Sequence, residues 1–377
     1  MGFIKNFDKL ATTPQRKIVL DLIETALSSI QPEKVLENFT VEGIKNYEHV
    51  YLIGFGKGSA KISKIIEQKL GDKLTEGYVI DVTPEEFNKI QFTQGTHPLP
   101  SQTNLDFTKK VVERFENKLT QKDLVIVVVT GGGSVLFELP NFLSLPELIK
   151  KNDELLKSGL NIEDMNAERK KISKVKGGGL ARILQPAKVL GLIFSDVPGN
   201  NISTVASGPT DDPSAENILV LSNKTALNAM KQKADQLGIN AQIYFDAVQG
   251  EAKVVGPELI KTAKSNSVLL VGGETTVTVQ NNNGKGGRNQ ELVLGALSKV
   301  DEQTTIASFD SDGWDNTEFA GAIGDLSTLN KAKEQNLNVD EFLNNNNSLE
   351  FFQKTEDGIE TGRLPSNVSD LMIVYKK

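Results

Sequence analysis

Uninterrupted apolar runs that end in glycine turns constrain the fold of this chain more than any other feature. The clearest run is LVIVVV at residues 124–129, which is followed directly by TGGGS. A run without polar alternation predicts a parallel strand that is covered on both faces. Similar runs at residues 49–53, 78–82 and 188–194 are separated by helical patterns. This alternation predicts an α/β fold whose N-terminal part is a Rossmann-like, doubly wound parallel sheet.

A second alternating unit begins near residue 215 and predicts a second α/β domain. We expect strands at residues 241–245 and 268–271, the latter leading into a threonine-rich strand, and a terminal strand at 371–374. Residues 319–324 are expected to form a turn of small residues. The predicted domains are residues 1–220 and 221–377.

Composition narrows the class of protein. The 377 residues carry a net charge of −7, which argues against a general binder of nucleic acid or membrane surfaces. The chain has no cysteine, so disulfides, thiolate catalysis and zinc ribbons are excluded. It has no apolar stretch of signal-peptide or membrane-span length. We therefore expect a cytoplasmic protein without membrane or nucleic-acid partners.

The turn GFGKGS at residues 54–59 joins a strand to a helix. It lacks the spacer of a Walker A loop but resembles a Rossmann turn in which Ser59 replaces the third glycine. Asp81 follows at a distance suited to a ribose-binding acid, so a dehydrogenase is an open alternative. Lys57, next to Gly56, favours a phosphoryl group instead, because it places a cation beside a helix N-terminus. A helix start with a solvated lysine is the simpler interpretation.

Two further loops follow strands of the same half. Gly132, Gly133 and Ser134 belong to a glycine turn that is expected to bind a carboxylate or phosphate, although a tight structural turn has the same composition. No histidine is spaced to activate Ser134 as a nucleophile. Asp196, in SDVPG, can accept a proton or hold magnesium, or can form an Asx turn before proline.

The segment NAERKKISKVKGGGLAR at residues 166–182 carries six cations. Arg169 lies on the helical face of Asn166 and Ser173. Arg169 and Lys176 are the candidates for contact with an anion, whereas the other lysines are expected to be solvated.

Two segments of the C-terminal half carry charged loops. The stretch GETTVTVQNNNGKGGRNQE at residues 273–291 brings Lys285 and Arg288 to a predicted helix start, which suits an anion but also an ordinary surface turn. The stretch DSDGWD at residues 310–315 offers Asp312 and its neighbouring carboxylates to magnesium or to hydroxyl groups. Its tryptophan, Trp314, can cover a base or sugar or can fill a gap in the core.

Together these motifs resemble one family. They are GFGKGSA, HPLP, TGGGSVLFELP, NAERKKISKVKGGGLA, SDVPG, SGPT, GGETTV and GKGGRNQE, in that order. The chain is similar to class II glycerate kinases, whose C-terminal part is the MOFRL domain. It departs from the family pattern at Asn200, Asn316 and Arg363, which bear on the acceptor more than on the reaction.

The resemblance implies phosphorylation of D-glycerate by ATP with magnesium, with 2-phosphoglycerate favoured, in a cleft between the two domains. It implies catalytic roles for Lys57, Arg288 and Asp196. The chemistry of phosphoryl transfer adds Asp312 as an expected ligand of the magnesium ion. The binding residues expected from the loops and the resemblance together are Gly56, Ser59, Gly132, Gly133, Ser134, Asn166, Arg169, Lys176, Glu274, Lys285 and Asn289. A monomer or homodimer is expected. An NAD(P)H-dependent hydroxypyruvate reductase and a non-catalytic sensor of nucleotides or acids remain the alternatives.

Overall fold

A computed structural model of the protein describes residues 2–158, 162–280 and 284–377, so residues 281–283 of the expected glycine loop lie outside the described part. The strands are β1 (His49–Phe55), β2 (Glu76–Asp81), β3 (Ile90–Gln94), β4 (Asp123–Val129), β5 (Lys188–Phe194), β6 (Ala215–Leu221), β7 (Asn240–Val248), β8 (Ser267–Gly273), β9 (Thr304–Asp310), β10 (Gly321–Gly324), β11 (Gly358–Ile359) and β12 (Asp370–Lys376). The helices are α1 (Phe7–Leu10), α2 (Pro14–Ser29), α3 (Pro32–Val35), α4 (Ser59–Leu70), α5 (Gln102–Phe115), α6 (Gly133–Leu136), α7 (Leu145–Lys157), α8 (Ile162–Ile172), α9 (Gly179–Ile183), α10 (Asn223–Gln236), α11 (Ala252–Thr262), α12 (Arg288–Ala296), α13 (Leu326–Glu334), α14 (Val339–Asn344) and α15 (Ser348–Thr355).

Residues 32–222 form one compact unit around a parallel sheet. Its strand order is β3-β2-β1-β4-β5-β6, and every neighbouring pair is parallel. This confirms the parallel sheet expected from the apolar runs. All seven residues of the central strand β4 are buried, as its uninterrupted apolar sequence requires. Because the strands are parallel, the loops after β1, β4 and β5 leave from the same edge of the sheet.

Residues 1–31 and 223–377 form the second compact unit. Its six strands follow the order β11-β10-β9-β12-β8-β7, and only β7 and β8 pair in parallel. Strand β12 returns late in the chain between β8 and β9 and pairs antiparallel with both, and β10 pairs antiparallel with β9 and β11. The unit is α/β as expected, but its sheet is mixed.

The predicted division at residues 1–220 and 221–377 differs from these units in its first 31 residues. Helix α2 packs against α10 and strand β9 rather than against the parallel sheet. Its Arg16 is fully buried and donates to Asp325 and Asp357, both at 2.7 Å. This buried ion pairing explains why the N-terminal helices join the unit formed by the C-terminal residues.

Two local expectations in this unit were wrong. The threonine-rich segment after residue 273 is not a strand where the structure describes it. It contributes only an isolated bridge between Thr276 and Glu251. The small residues at 319–324 are not simply a turn, because Gly321–Gly324 forms β10 beside β9. None of the helices in the described residues is long and apolar enough to span a membrane.

Candidate active site

The loops after β1, β4 and β5 meet at the centre of the parallel sheet. The strand order reverses between β1 and β4, and ligands of open α/β sheets bind outside such a point. The backbone N–H of Lys57 donates to the carbonyl oxygen of Gly131 at 2.7 Å, which joins the first two loops directly. The predicted glycine turns at residues 54–59 and 130–134 are therefore neighbours in space.

Lys57 presents an exposed side chain beside the second glycine turn. A Cβ atom placed on Gly132 would lie 3.3 Å from the Lys57 side chain and 3.2 Å from the His97 ring. Gly132 itself has φ +77°, a left-handed conformation that favours glycine. Among the side chains that the structure describes, Lys57 makes no ion pair. Its ammonium group can therefore contact an anionic ligand.

Asp196 lies against the same turn from the third loop. A Cβ atom on Gly131 would come within 1.7 Å of the Asp196 Oδ2 atom, so only glycine leaves room for this carboxylate. A cation and a carboxylate thus border two successive residues, Gly131 and Gly132. The N–H of Gly133 donates to the Thr130 carbonyl oxygen and closes the turn instead of facing a ligand, which corrects its expected role as a donor.

The N-terminus of helix α4 is already occupied by an internal anion. The Asp81 carboxylate is fully buried and accepts from the Ala60 N–H at 2.9 Å and from the Val82 N–H at 2.6 Å. Burial raises its pKa, while these backbone donors act in the opposite direction. Ser59 is also fully buried, and its hydroxyl donates to the Ile80 carbonyl oxygen. The Ser59 hydroxyl is therefore used inside the fold, which speaks against a ligand contact by this side chain, and a phosphate contact by Lys57 stays a prediction.

A chain of polar side chains extends from the second glycine turn to helix α8. The hydroxyl groups of Ser134 and Ser207 lie 2.8 Å apart, and Ser207 donates to Asn166 Oδ1 at 2.9 Å. Arg169 lies at the far end, with Nη1 3.5 Å from the same amide oxygen. The structure thus brings together three residues that the sequence predicted separately.

Lys176 does not reach this chain as a free cation. Its side chain is buried and its ammonium group contacts the Glu138 carboxylate. Burial lowers the pKa of Lys176. The expected direct contact between Lys176 and an anion is corrected: its charge is compensated inside the protein.

Arg288, in the other unit, is surrounded by carboxylates. It donates to both oxygens of Asp370, at 2.6 and 3.0 Å, to Glu274 at 2.6 Å and to Asp310 at 3.3 Å. This arrangement raises the pKa of the guanidinium above its already high value, despite its burial. Four of its five N–H donors are used in these bonds, so a phosphate can meet only the remaining Nη1 donor unless a carboxylate gives way. Glu274 forms an ion pair with Arg288 through one oxygen, and its expected contact with a ligand stays a prediction.

The other two predicted binding residues of this unit, Asn289 and Lys285, differ in their exposure to solvent. Asn289 is fully buried and donates to Asp370 and Asp315, so it supports the cluster instead of meeting a ligand as expected. Lys285 is exposed, and its backbone N–H donates to Asn347. Lys57 and Arg288 lie in different units, so their joint action on one phosphoryl group stays a prediction.

The carboxylates around Arg288 outnumber its single charge. Burial raises the pKa of Asp370 to about 7, against the effect of Arg288. Burial and then repulsion by Asp370 and Asp312 raise the pKa of Asp310 well above its ordinary value. Asp312 accepts the Trp314 N–H at 2.9 Å through one oxygen. No group of three or more His, Asp or Glu side chains with metal-binding geometry occurs in the described ranges. Binding of a cation by Asp312 and its neighbours therefore stays a prediction.

Three neighbours of these sites were not predicted to act there. His97 faces Lys57, and burial together with the charge of Lys57 lowers its pKa. Glu138 compensates Lys176, and Ser207 links Ser134 to Asn166. All three lie in the motifs HPLP, TGGGSVLFELP and SGPT, but their roles depend on contacts across the fold that spacing does not reveal.

Comparison with known proteins identifies the family. A domain family of unknown function, DUF4147, matches residues 18–237, and the MOFRL family matches residues 267–370. A glycerate 2-kinase from Pyrococcus horikoshii is 32% identical, and the match covers 95% of this chain and 96% of the relative. The chain belongs to the glycerate 2-kinase family. The expected MOFRL-type resemblance is thereby confirmed.

Other relatives include a solved structure and a protein with a different name. A crystal structure of glycerate kinase from Thermotoga maritima is 30% identical and superposes with a TM-score of 0.88, covering 96% of this chain and 99% of that one. A putative hydroxypyruvate reductase from Agrobacterium vitis is 31% identical over 86% of this chain and 98% of its own length. The family fold is shared over the whole length, and the two names describe different reactions.

Proposed function

We propose that the protein is a kinase that transfers the γ-phosphoryl group of ATP to the C2 hydroxyl of D-glycerate, giving 2-phosphoglycerate and ADP. Glycerate 2-kinase relatives match nearly the full chain. One observation carries the proposal: the exposed cation Lys57 and the carboxylate Asp196 border successive glycines at the switch point of the parallel sheet. A phosphoryl donor needs the first group, and an acceptor alcohol needs the second.

Charge neutralisation is the role that we assign to Lys57. Phosphoryl transfer needs little covalent assistance, so positioning and electrostatic stabilisation dominate its catalysis. The ammonium group would stabilise the negative charge on the equatorial oxygens of the transferring group. The Lys57–Gly131 hydrogen bond fixes the backbone from which this side chain extends.

Proton transfer is the role that we assign to Asp196. Its carboxylate would accept the proton of the acceptor hydroxyl as the new oxygen–phosphorus bond forms and the bond to ADP breaks. Its contact with Gly131 holds the carboxylate at the strand edge. A base at this position needs to reach the hydroxyl within hydrogen-bond distance.

The acidic cluster of the other unit fits magnesium as part of a metal–nucleotide complex. Magnesium usually keeps one or two protein carboxylates and completes its coordination with phosphates and water. Asp312 would be the carboxylate that holds it, because it is partly exposed, whereas the neighbouring Asp310 and Asp370 are buried. When bound, magnesium neutralises charge on the phosphate oxygens. Arg288 would fix the positions of Asp370 and Asp310 and contact the phosphate through its remaining Nη1 donor.

A coupled assay tests the proposal. The purified protein is mixed with magnesium and ATP, and ADP release is measured against D-glycerate, L-glycerate, lactate and glycerol. We expect release that depends on D-glycerate, and NMR of the product should place the phosphate on C2. No release with any acceptor would refute the proposal, and phosphate on C3 would correct its regiochemistry.

The alternative function, an NAD(P)H-dependent reductase, needs an acidic side chain that contacts the ribose of the dinucleotide, and the expected residue is not available for it. The acid that would bind a dinucleotide ribose is Asp81, and it is buried and bonded to the backbone of α4 and its own loop. A ligand contact would require this carboxylate to leave the helix terminus. Oxidation of NADH or NADPH with hydroxypyruvate, measured by absorbance on the same preparation, separates the two reactions.

A cytoplasmic location and a monomeric or homodimeric state belong to the proposal as well. The chain has no cysteine and a net charge of −7, which supports the first. Light scattering of the purified protein tests the second.

A further inference from the structure

Arg169 is a half-buried cation without a carboxylate partner among the side chains that the structure describes. Three lysines of the same segment are compensated: Lys176 contacts Glu138, Lys171 contacts Glu168, and Lys170 lies 4.0 Å from Asp211. Burial lowers the pKa of Arg169, but arginine stays charged in proteins. A half-buried guanidinium without a counter-charge is suited to an anionic ligand.

The amide of Asn166 adds an unsatisfied donor at the same place. Asn166 is 3% exposed, and its Oδ1 atom accepts from Ser207. Its Nδ2 atom is buried and has no hydrogen-bond partner within the described ranges. Buried amide donors are normally satisfied, so an unpaired one points to an acceptor that binds from outside the chain.

Ser207 is held in place by a strained backbone. Ala206 and Ser207 both have left-handed conformations, with φ +49° and +62°, which non-glycine residues seldom adopt. The Ala206 side chain packs against Gly133, where an added Cβ would come within 2.8 Å. This turn places the Ser207 hydroxyl between Ser134 and Asn166. Strain of this kind is concentrated at functional sites.

We infer that one cluster binds the carboxylate of the acceptor substrate: Ser134, Ser207, Asn166 and Arg169. Arg169 supplies the positive charge, and Ser207 positions the Asn166 amide and the Ser134 hydroxyl. The inference rests on the proposed function, because it assigns one end of the glycerate molecule. It gives the site its preference for a hydroxy acid over an uncharged alcohol.

The charge balance favours a carboxylate over the phosphates of ATP. The cluster offers one uncompensated cation, which matches a single negative charge, whereas a triphosphate carries several. The guanidinium fork also matches the two oxygens of a carboxylate. Lys57, which borders the other end of the glycine turn, remains for the phosphoryl group.

Steady-state kinetics of Arg169→Gln test the assignment. We expect the KM for D-glycerate to rise about 10- to 100-fold, as for a lost charge-assisted hydrogen bond, with the KM for ATP changed less than about twofold. Lys171→Gln, on the same helix and exposed, is the matched control and should leave both values unchanged. An equal rise for ATP and glycerate, or a rise for ATP alone, would assign the cluster to a phosphate and overturn the inference.

Two further variants separate binding from folding. Asn166→Asp is nearly isosteric and places a carboxylate beside Arg169, so it should weaken glycerate binding at least as strongly as Arg169→Gln. Ser207→Ala should raise the KM for glycerate severalfold without changing that for ATP. Circular dichroism melting identifies any variant that fails to fold. If the unsubstituted protein releases ADP with glycerate but Asn166→Asp keeps its KM, this inference alone fails. If the unsubstituted protein is inactive, the proposed function fails first.

Discussion

The backbone N–H of Lys57 donates to the carbonyl oxygen of Gly131 at 2.7 Å, so two loops from neighbouring parallel strands are joined without any use of the lysine side chain. The bond fixes where the side chain begins, and the exposed ammonium group stays available. A substitution of Lys57 should therefore remove the ammonium group and leave this backbone hydrogen bond in place.

Lys57→Ala should lower kcat about a hundredfold or more without destabilising the protein. The loss corresponds to about 3–4 kcal/mol of transition-state stabilisation, as for other preorganised groups that stabilise developing charge. The backbone bond to Gly131 persists in alanine, so the melting temperature should stay unchanged. Lys61→Ala, on helix α4 and paired with Glu33, is the control. Near-normal kcat in Lys57→Ala would remove this residue from catalysis.

Arg288→Ala should lower turnover by a similar factor, but it should also destabilise the fold. Without the guanidinium, the buried carboxylates Asp310 and Asp370 are left uncompensated. Removing one partner of such a cluster should cost about 2–3 kcal/mol, less than a fully buried pair because the Arg288 side chain is 29% exposed. Urea unfolding measures this change. Adding Asp310→Asn should restore part of the stability but not the activity, and full recovery of activity would contradict a catalytic role.

Arg16→Met should destabilise the unit that contains residues 1–31 and 223–377. The guanidinium is fully buried and compensates Asp325 and Asp357, so its loss should cost about 3–5 kcal/mol. Chemical denaturation followed by circular dichroism checks the value, with the exposed neighbour Lys17→Met as the control. Equal stability of both variants would show that these ion pairs do not hold the N-terminal helix.

Much of the fold was predictable because apolar patterning carries it. The run at residues 124–129 predicted β4, and the parallel sheet followed from such runs. The mixed second sheet was not predictable, since β12 inserts between β8 and β9 from about 100 residues further along the chain. Local sequence contains no signal for that return.

The sequence indicated which charged residues are candidates for the site, but not which of them are paired with an opposite charge in the folded protein. Sequence identified Lys57, Asp196 and Arg288 as charged residues in glycine loops. It did not reveal that Asp81 occupies the N-terminus of α4 or that three carboxylates surround Arg288. Whether a cation is paired with a carboxylate depends on side chains that meet only after folding. A cluster of cations in the sequence is therefore weaker evidence for anion binding than the contacts that those cations make in the structure.

His97 should titrate below its ordinary pKa of 6.5, because burial and the charge of Lys57 both disfavour its protonated form. The unfolded chain then binds more protons as the pH falls below about 6.5. The contribution of neutral His97 to stability is therefore present above that pH and is lost as the pH falls through the folded-state pKa. The ring is only partly shielded from water, so the change in unfolding free energy is small and NMR of the ring protons is a better measurement than melting.

Assignment of this titration is simple because the chain has two histidines. His49→Gln leaves only the His97 signal. In that background, Lys57→Met should raise the midpoint, because it removes the repulsion. An unchanged midpoint would show that the two side chains do not interact in solution.

Trp314 should report on Arg363 by its fluorescence. The Arg363 guanidinium lies 4.2 Å from the centre of the indole ring, and Trp314 is the only tryptophan in the chain. Arg363→Gln lets water replace the guanidinium, so the emission maximum should shift to longer wavelength. The loss of the cation–π contact should cost about 0.5–1 kcal/mol in unfolding free energy. Arg363→Lys, which keeps the charge but not the planar stacking, should give an intermediate shift. Identical emission spectra for all three proteins would show that Arg363 leaves the ring in solution, and the residue would then have no part in ordering the loop that carries Asp312.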